Sequence, residues 1–115
     1  GTSALRAIGI NNNSEFLNNP KLQEKAFVAL LKINKWKLRH IIKEYRGKVI
    51  DGVRVTESGI LAAAHLGGAG SVRKYLESNG ERKCKDNYGT TIKSYMKQFG
   101  GYETHNIKPD SNAKV

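Results

Sequence analysis

The stretch from Thr56 to Leu76, TESGILAAAHLGGAGSVRKYL, leaves fewer alternative structural readings than any other part of this chain. It reads as a helix, a glycine-rich elbow and a second helix. Thr56 can cap the first helix by accepting a hydrogen bond from an early backbone N–H, and Glu57 suits the positive end of the helix dipole. Ile60, Leu61, Ala63, Ala64 and Leu66 supply apolar positions, and the alanines let another backbone come close. Gly67, Gly68 and Gly70 are expected to end that helix, because glycine tolerates the positive φ angles of a C-cap and a tight elbow. Ser71 is expected to restart a helix in which Val72, Tyr75 and Leu76 share one face.

The flanking sequence predicts more helices and little sheet. Residues 3–8 read as the end of a helix stopped at Gly9, followed by the polar loop Asn11, Asn12 and Asn13. Ser14 is expected to cap a short turn that holds Phe16 and Leu17. Asn18, Asn19 and Pro20 open the longest helix, with proline placed where its missing N–H costs nothing. Leu22, Ala26, Leu30 and Ile33 define its buried face, widened by Phe27 and Leu31. Trp36, Leu38, Ile41, Ile42 and Tyr45 continue the helix out of phase, which predicts a kink near Asn34 and Lys35 and an end at Gly47. The segment from Val49 to Val55 is a hairpin signal, since β-branched residues flank Asp51-Gly52, a pair suited to a type I′ turn. A turn is expected at residues 86–89. Thr90 or Thr91 then caps a last helix carrying Ile92, Tyr95, Met96 and Phe99. The expected class is mainly α with one short β-hairpin, with residues 1–102 as the domain and the aperiodic residues 103–115 as a flexible tail.

Charge narrows the partners. The chain of 115 residues carries 20 Lys and Arg against 10 Asp and Glu, a formal net charge of +10. Such an excess attracts polyanions: nucleic acid, an anionic membrane, or the teichoic acids and acidic groups of a bacterial wall. No apolar run is long enough to span a bilayer, and GTSALRAIGI has neither the basic n-region nor the apolar core of a signal peptide. The single Cys84 excludes an internal disulfide and cannot build a zinc site alone. His40, His65 and His105 form no local signature with it, so it reads as a bystander thiol, and no cofactor or metal is expected. The basic stretch from Lys35 to Lys48, interleaved with Trp36 and Tyr45, leaves two readings open. It is either a phosphate-contacting face or the solvated side of a helix whose aromatics are core.

Two families compete for the central stretch. The glycine elbow followed by Ser71, Arg73 and Lys74 resembles a helix-turn-helix DNA-binding module. With Ala63 and Gly67 in that motif's Ala and Gly places, the apolar anchor of the second helix should fall at Arg73. It falls at Val72, a slip of one residue that turns the anchor by ~100°. The run from Ala63 to Leu76, AAHLGGAGSVRKYL, resembles without a gap the Ala-Ala-Tyr-Asn-Ala-Gly-Pro-Gly-x-Val motif of lytic transglycosylases and related lysozyme-like peptidoglycan hydrolases. Ala63 and Ala64 match the paired alanines, Gly68 and Gly70 the glycines, and Val72 the valine. A broader likeness to phage and secretion-associated wall hydrolases covers Asn18-Pro20-Leu22-Gln23-Glu24, the order VIDGVRVTESGILAAAHLGGAG, and the residues from Asp86 to Tyr102.

This resemblance implies a lysozyme-like helical domain that acts on the glycan strand of peptidoglycan as part of a larger muramidase or lytic transglycosylase. The implied setting is the periplasm, the cell wall or a virion, with other chains of a phage or secretion assembly as further partners. A structural relic in a phage or injection assembly is the variant in which the chemistry has been lost. His65 takes the motif's Tyr place and Leu66 its Asn place, and Leu66 cannot replace an amide. The implied glycan-binding residues are His65, Gly67, Gly68, Gly70 and Tyr75. Glycosidases of this kind protonate the glycosidic oxygen with a glutamic acid, which the family places at a helix end, before a Ser and well upstream of the alanine motif. Glu57-Ser58 copies that pair but stands six residues before Ala63 in the same helix, so Glu57 is a catalytic candidate in the wrong place. Gly1-Thr2-Ser3-Ala4-Leu5 resembles the small-residue helix that the family carries downstream of its acid, so the acid is expected ahead of residue 1.

Overall fold

A computed structural model describes residues 2–85 and 88–115. The protein is mainly helical, with one small two-stranded antiparallel hairpin, as expected. Its elements in chain order are α1 (Thr2–Ala7), α2 (Asn13–Leu17), α3 (Pro20–Lys37), α4 (Arg39–Tyr45), β1 (Val49–Ile50), β2 (Val53–Arg54), α5 (Glu57–Gly67), α6 (Ala69–Glu77) and α7 (Ile92–Gln98). The capping chemistry is mostly where the sequence puts it. Asn19 accepts from the Leu22 N–H with Pro20 as the first helical residue, Thr56 accepts from Gly59, and Thr91 accepts from Ser94. At α2 the cap is Asn12 rather than Ser14. Its side-chain oxygen takes the N–H groups of both Ser14 and Glu15, leaving Ser14 inside the first turn.

Helix α5 is the centre of the molecule, with α3, α6 and α7 packed around it. Ile60, Leu61, Ala63 and Ala64 are buried and join Val72, Tyr75 and Leu76 of α6 with Ile92 and Met96 of α7 in the main core. Gly59 allows α5 and α7 to approach closely, since a Cβ there would stand 3.1 Å from the Met96 carbonyl oxygen. The elbow is tighter than the sequence suggests. Gly68 alone makes it, with φ 92° and ψ 140°, while Gly67 closes α5 and Gly70 already lies inside α6. The second helix therefore starts at Ala69, not Ser71.

Helix α3 divides two clusters. Ala26 and Ala29 are buried with Ile8, Ile10 and Ala113, and the partly buried Leu22, Leu30 and Ile33 pack on the same side. Leu31 points the other way, into the main core. The break expected near Asn34 and Lys35 comes at Leu38, where φ −102° and ψ 14° leave helical geometry. Leu38, Ile41 and Ile42 reach the same main core as Leu31 on the other side of the break. The hairpin pairs Val49 with Arg54 and Ile50 with Val53 across Asp51 and Gly52, both at positive φ as a type I′ turn requires. The turn expected at residues 86–89 falls partly outside the described residues, which omit 86 and 87; Gly89 adopts φ 83°.

Residues 103–115 form neither helix nor strand, as their aperiodic sequence implies, yet they are tied down along their length. The Asp110 N–H donates to the Lys32 carbonyl at 3.1 Å and the Val115 N–H to the Ile8 carbonyl at 2.9 Å. Ala113 is buried in the smaller cluster, and the Lys114 ammonium caps the Ala7 carbonyl. The segment is a strap across α3 onto the end of α1, held by backbone bonds to Lys32 and Ile8 and by the Lys114 side chain on Ala7.

The backbone at Gly68 lies in a region that is accessible almost only to glycine. Gly68→Ala is expected to destabilise the fold by about 1–3 kcal/mol, read as a lower urea midpoint with an unchanged slope.

Candidate functional site

A groove of about 380 Å³ lies between α3, α5 and the strap. Three stretches build it. From α3 come Phe27 and Leu31, four residues apart and therefore on one face. From α5 come Ser58, Leu61 and Ala62, and from the C-terminal side Phe99, Tyr102, Glu103, Thr104 and Ile107. The walls are mostly apolar, with aromatic rings at both ends: Phe27 is 48% exposed and Tyr102 69% exposed. Phe99 and Tyr102 lie 6.5 Å apart between ring centroids.

The polar start of α5 fastens these walls together. Ser58 is buried, and its hydroxyl donates to the Phe99 carbonyl at 2.8 Å while accepting from the Tyr102 N–H at 3.1 Å. Glu57 forms an ion pair with Lys35 at 3.0 Å, both side chains being only about one-seventh exposed (15% and 14%). The Thr104 hydroxyl donates to the same Glu57 oxygen, and the Lys35 ammonium also donates to the Thr104 carbonyl at 3.0 Å. Phe27, Leu31 and Lys35 thus form one stripe on α3, two residues in the groove and the third clamping its end. Glu57 lies behind the groove wall, engaged by a cation and a hydroxyl.

The residues that sequence reasoning singled out fall in two places. His65 stands two turns along α5 from Ser58, on the same side, and packs edge-to-face on Phe27 with ring centroids 5.0 Å apart. It therefore stands beside the groove rather than inside the core. Burial of the imidazole disfavours its charged form and lowers its pKa below the ordinary value. Gly67, Gly68, Gly70 and Tyr75 do not line the groove. Tyr75 is only 1% exposed, because the period of α6 places it with Val72 and Leu76 on the core face. Its hydroxyl donates to Asp51 at 3.2 Å, and burial next to that carboxylate pushes the phenol up. Asp51 also pairs with Lys83 at 2.6 Å, which holds its carboxyl below the usual range. Tyr75 is thus a core residue fastening the hairpin turn to α6.

Other candidates settle similarly. Cys84 is half-buried against the main core. In the elbow, Val72 is fully buried and Arg73 is exposed, with its guanidinium donating to the Lys37 carbonyl at 2.7 Å. The residues missed in the sequence are Phe27 as a groove wall, Phe99 and Tyr102 as its far end, and Thr104 and Ile107 in the strap. The run Phe99-Gly100-Gly101-Tyr102 was a visible signal, two aromatics across a glycine pair just past a helix end. The strap gave none. No helix among the described residues is long and apolar enough to cross a membrane, and no group of His, Cys, Asp or Glu among them could hold a metal ion.

Comparison of the chain with protein-family models, with curated proteins and with solved structures gives no match.

Since folding shields His65, the unfolded chain binds its proton more readily. Its contribution to stability is full above the unfolded value of ~6.5 and is lost as pH falls through the lower folded value. An NMR titration of the His65 ring is expected to show a midpoint below that of the unfolded chain, and Phe27→Ala should move it upward.

Proposed function

We propose that this chain is a lysozyme-like domain that binds the glycan strand of peptidoglycan in the groove between α3, α5 and the strap, as part of a muramidase or lytic transglycosylase. The observation that carries the reading is the position of His65. The α5 residues that line the groove, Ser58, Leu61 and Ala62, directly precede the segment resembling the transglycosylase motif, and the residue in the motif's Tyr place packs on Phe27 of the groove wall. A groove with apolar walls and exposed rings suits a sugar strand. Pyranose C–H faces pack on Phe27 and Tyr102, and ring hydroxyls and acetamido groups are free to meet Glu103 and Thr104 at the rim. The net charge of +10 favours residence on an anionic wall. The implied location is the periplasm, the wall or a virion.

In this reading Glu57 positions the walls and does not protonate the leaving oxygen. A glycosidic acid has to face the substrate, and the Glu57 carboxylate faces Lys35 and Thr104. Glu103 does line the groove, but its side chain is 88% exposed and lacks the burial that keeps such a carboxyl protonated. Neither Glu57 nor Glu103 is given the role of the acid, and in this reading the chain by itself binds the glycan without cutting it. A duplex-reading role is less well supported, because Val72, not Arg73, is the buried anchor of α6.

Purified sacculi freed of teichoic acid test this. The chain is expected to pellet with them and release no muropeptides. Replacing Phe27 and Tyr102 together by Ala should weaken binding by about tenfold, a loss of about 1.4 kcal/mol. Absence of pelleting at low salt would contradict glycan binding, and strong muropeptide release would contradict the role given to Glu57.

A further inference from the structure

A second surface lies at the far end of α3, away from the groove. Helix α4 buries Ile41 and Ile42 and so turns Arg39, His40 and Lys43 outward. Arg39 and Lys43 are four residues apart, ~6 Å along the helix axis, and Arg46 comes at its end. Lys37 precedes them, Lys48 lies just beyond, and the Arg73 guanidinium is brought alongside by its bond to the Lys37 carbonyl. Lys35 is paired with Glu57, and Lys83 and Lys93 with Asp51, while the exposed Glu44 is the one carboxylate in the run from Lys37 to Lys48. Among the described residues, no carboxylate lies within ion-pair distance of Lys37, Arg39, Lys43, Arg46, Lys48 or Arg73.

The aromatics of this face are occupied. Trp36 is 38% exposed, and the Arg39 guanidinium lies 3.4 Å from its ring centroid. The Lys48 ammonium lies 5.3 Å from the Tyr45 ring. Each ring thus steadies a cation in place, which lowers the ordering cost of using that cation in binding. The same contacts remove the open ring faces on which single-stranded bases stack. Helix α4 has only seven residues and buries Ile41 and Ile42. The surface offers cations in sequence and nothing that reads a base.

We propose that this face binds a base-free phosphodiester polymer of the poly(glycerol phosphate) type, with successive phosphates engaged by Arg39, Lys43 and Arg46. Their spacing along α4 is comparable with that of successive phosphates in an extended chain of this kind. Arg46 supplies a planar donor fork suited to phosphate oxygens, Arg39 supplies the donors left beside its bond to the Trp36 carbonyl at 2.9 Å, and Lys43 acts as a point charge between them. Binding here holds the protein to a phosphate-rich envelope independently of the groove, and it does not rest on the glycan reading.

The test is calorimetric titration of the full chain with poly(glycerol phosphate), with a length-matched single-stranded oligonucleotide and with poly-glutamate. Fluorescence of Trp36, the chain's single tryptophan, reports whether the contact is at this face. The expected result is saturable binding of poly(glycerol phosphate), perturbed Trp36 emission, and an affinity at least about tenfold above either other polymer at equal salt. The combined variant Arg39→Gln, Lys43→Gln, Arg46→Gln should lose about tenfold or more, with unchanged circular dichroism and unchanged pelleting with teichoic-acid-free sacculi. The triple variant Lys21→Gln, Lys97→Gln, Lys108→Gln, which removes the same number of charges elsewhere, should bind nearly as the parent does. Tighter binding of the oligonucleotide would overturn the proposal in favour of nucleic acid. Equal binding of all three polymers, or equal losses in the two charge variants, would reduce it to net charge.

Discussion

The first turn of α5 holds three polar side chains in a row at the point where the rest of the molecule converges. Thr56 satisfies the Gly59 N–H, one of the donors that a helix start leaves without an internal partner. Glu57 reaches α3 through Lys35 and the strap through Thr104. Ser58 reaches the end of α7 through the Phe99 carbonyl and the start of the strap through the Tyr102 N–H. Glu57 and Ser58 would be costly to withdraw from water alone, and each meets partners from other segments. One helical turn therefore sets how α3, α7 and the strap stand relative to α5.

The groove is a consequence of that arrangement. It forms where α3 and the strap meet above α5, and its walls come from chain positions as far apart as Phe27 and Ile107. The two aromatic ends are held by different devices. Phe27 is fixed by its place on α3 and its contact with His65, while Tyr102 is fixed through its backbone bond to Ser58. Apolar walls and polar clamps are thus separated, with the ion pair behind the surface and the rings in front. A carboxylate used in this way is a strut, which is why the residue most like a catalytic acid in the sequence faces away from the groove.

Much of the fold was legible in the sequence, because the relevant signals are local. Asn19-Pro20, Thr56 and Thr91 cap their helices, Asp51-Gly52 makes its turn, and the small residues of α5 mark it as central. The misplaced details are those that tertiary packing decides. The long helix breaks at Leu38, three to four residues beyond the position that the periodicity suggests, and a periodicity count does not locate such a break to a residue. Tyr75 looked like a cleft residue by resemblance, but the phase of α6 sends it inward to Asp51. The strap escaped notice because it is held by backbone hydrogen bonds to Lys32 and Ile8, and backbone groups leave no mark in side-chain composition. Of the groove itself, only His65 and the Phe99–Tyr102 run gave a sequence signal.

The central claim is that the wall of α5, not its elbow, receives a wall glycan. The most direct measurement is a two-dimensional NMR titration of the chain with a soluble, peptide-free glycan fragment of peptidoglycan. The account predicts amide shifts concentrated at Phe27, Leu61, Ala62, His65, Phe99 and the segment from Tyr102 to Thr104. Shifts centred instead on Gly68, Gly70 and α6, or on Arg39 and Lys43 of α4, would contradict it.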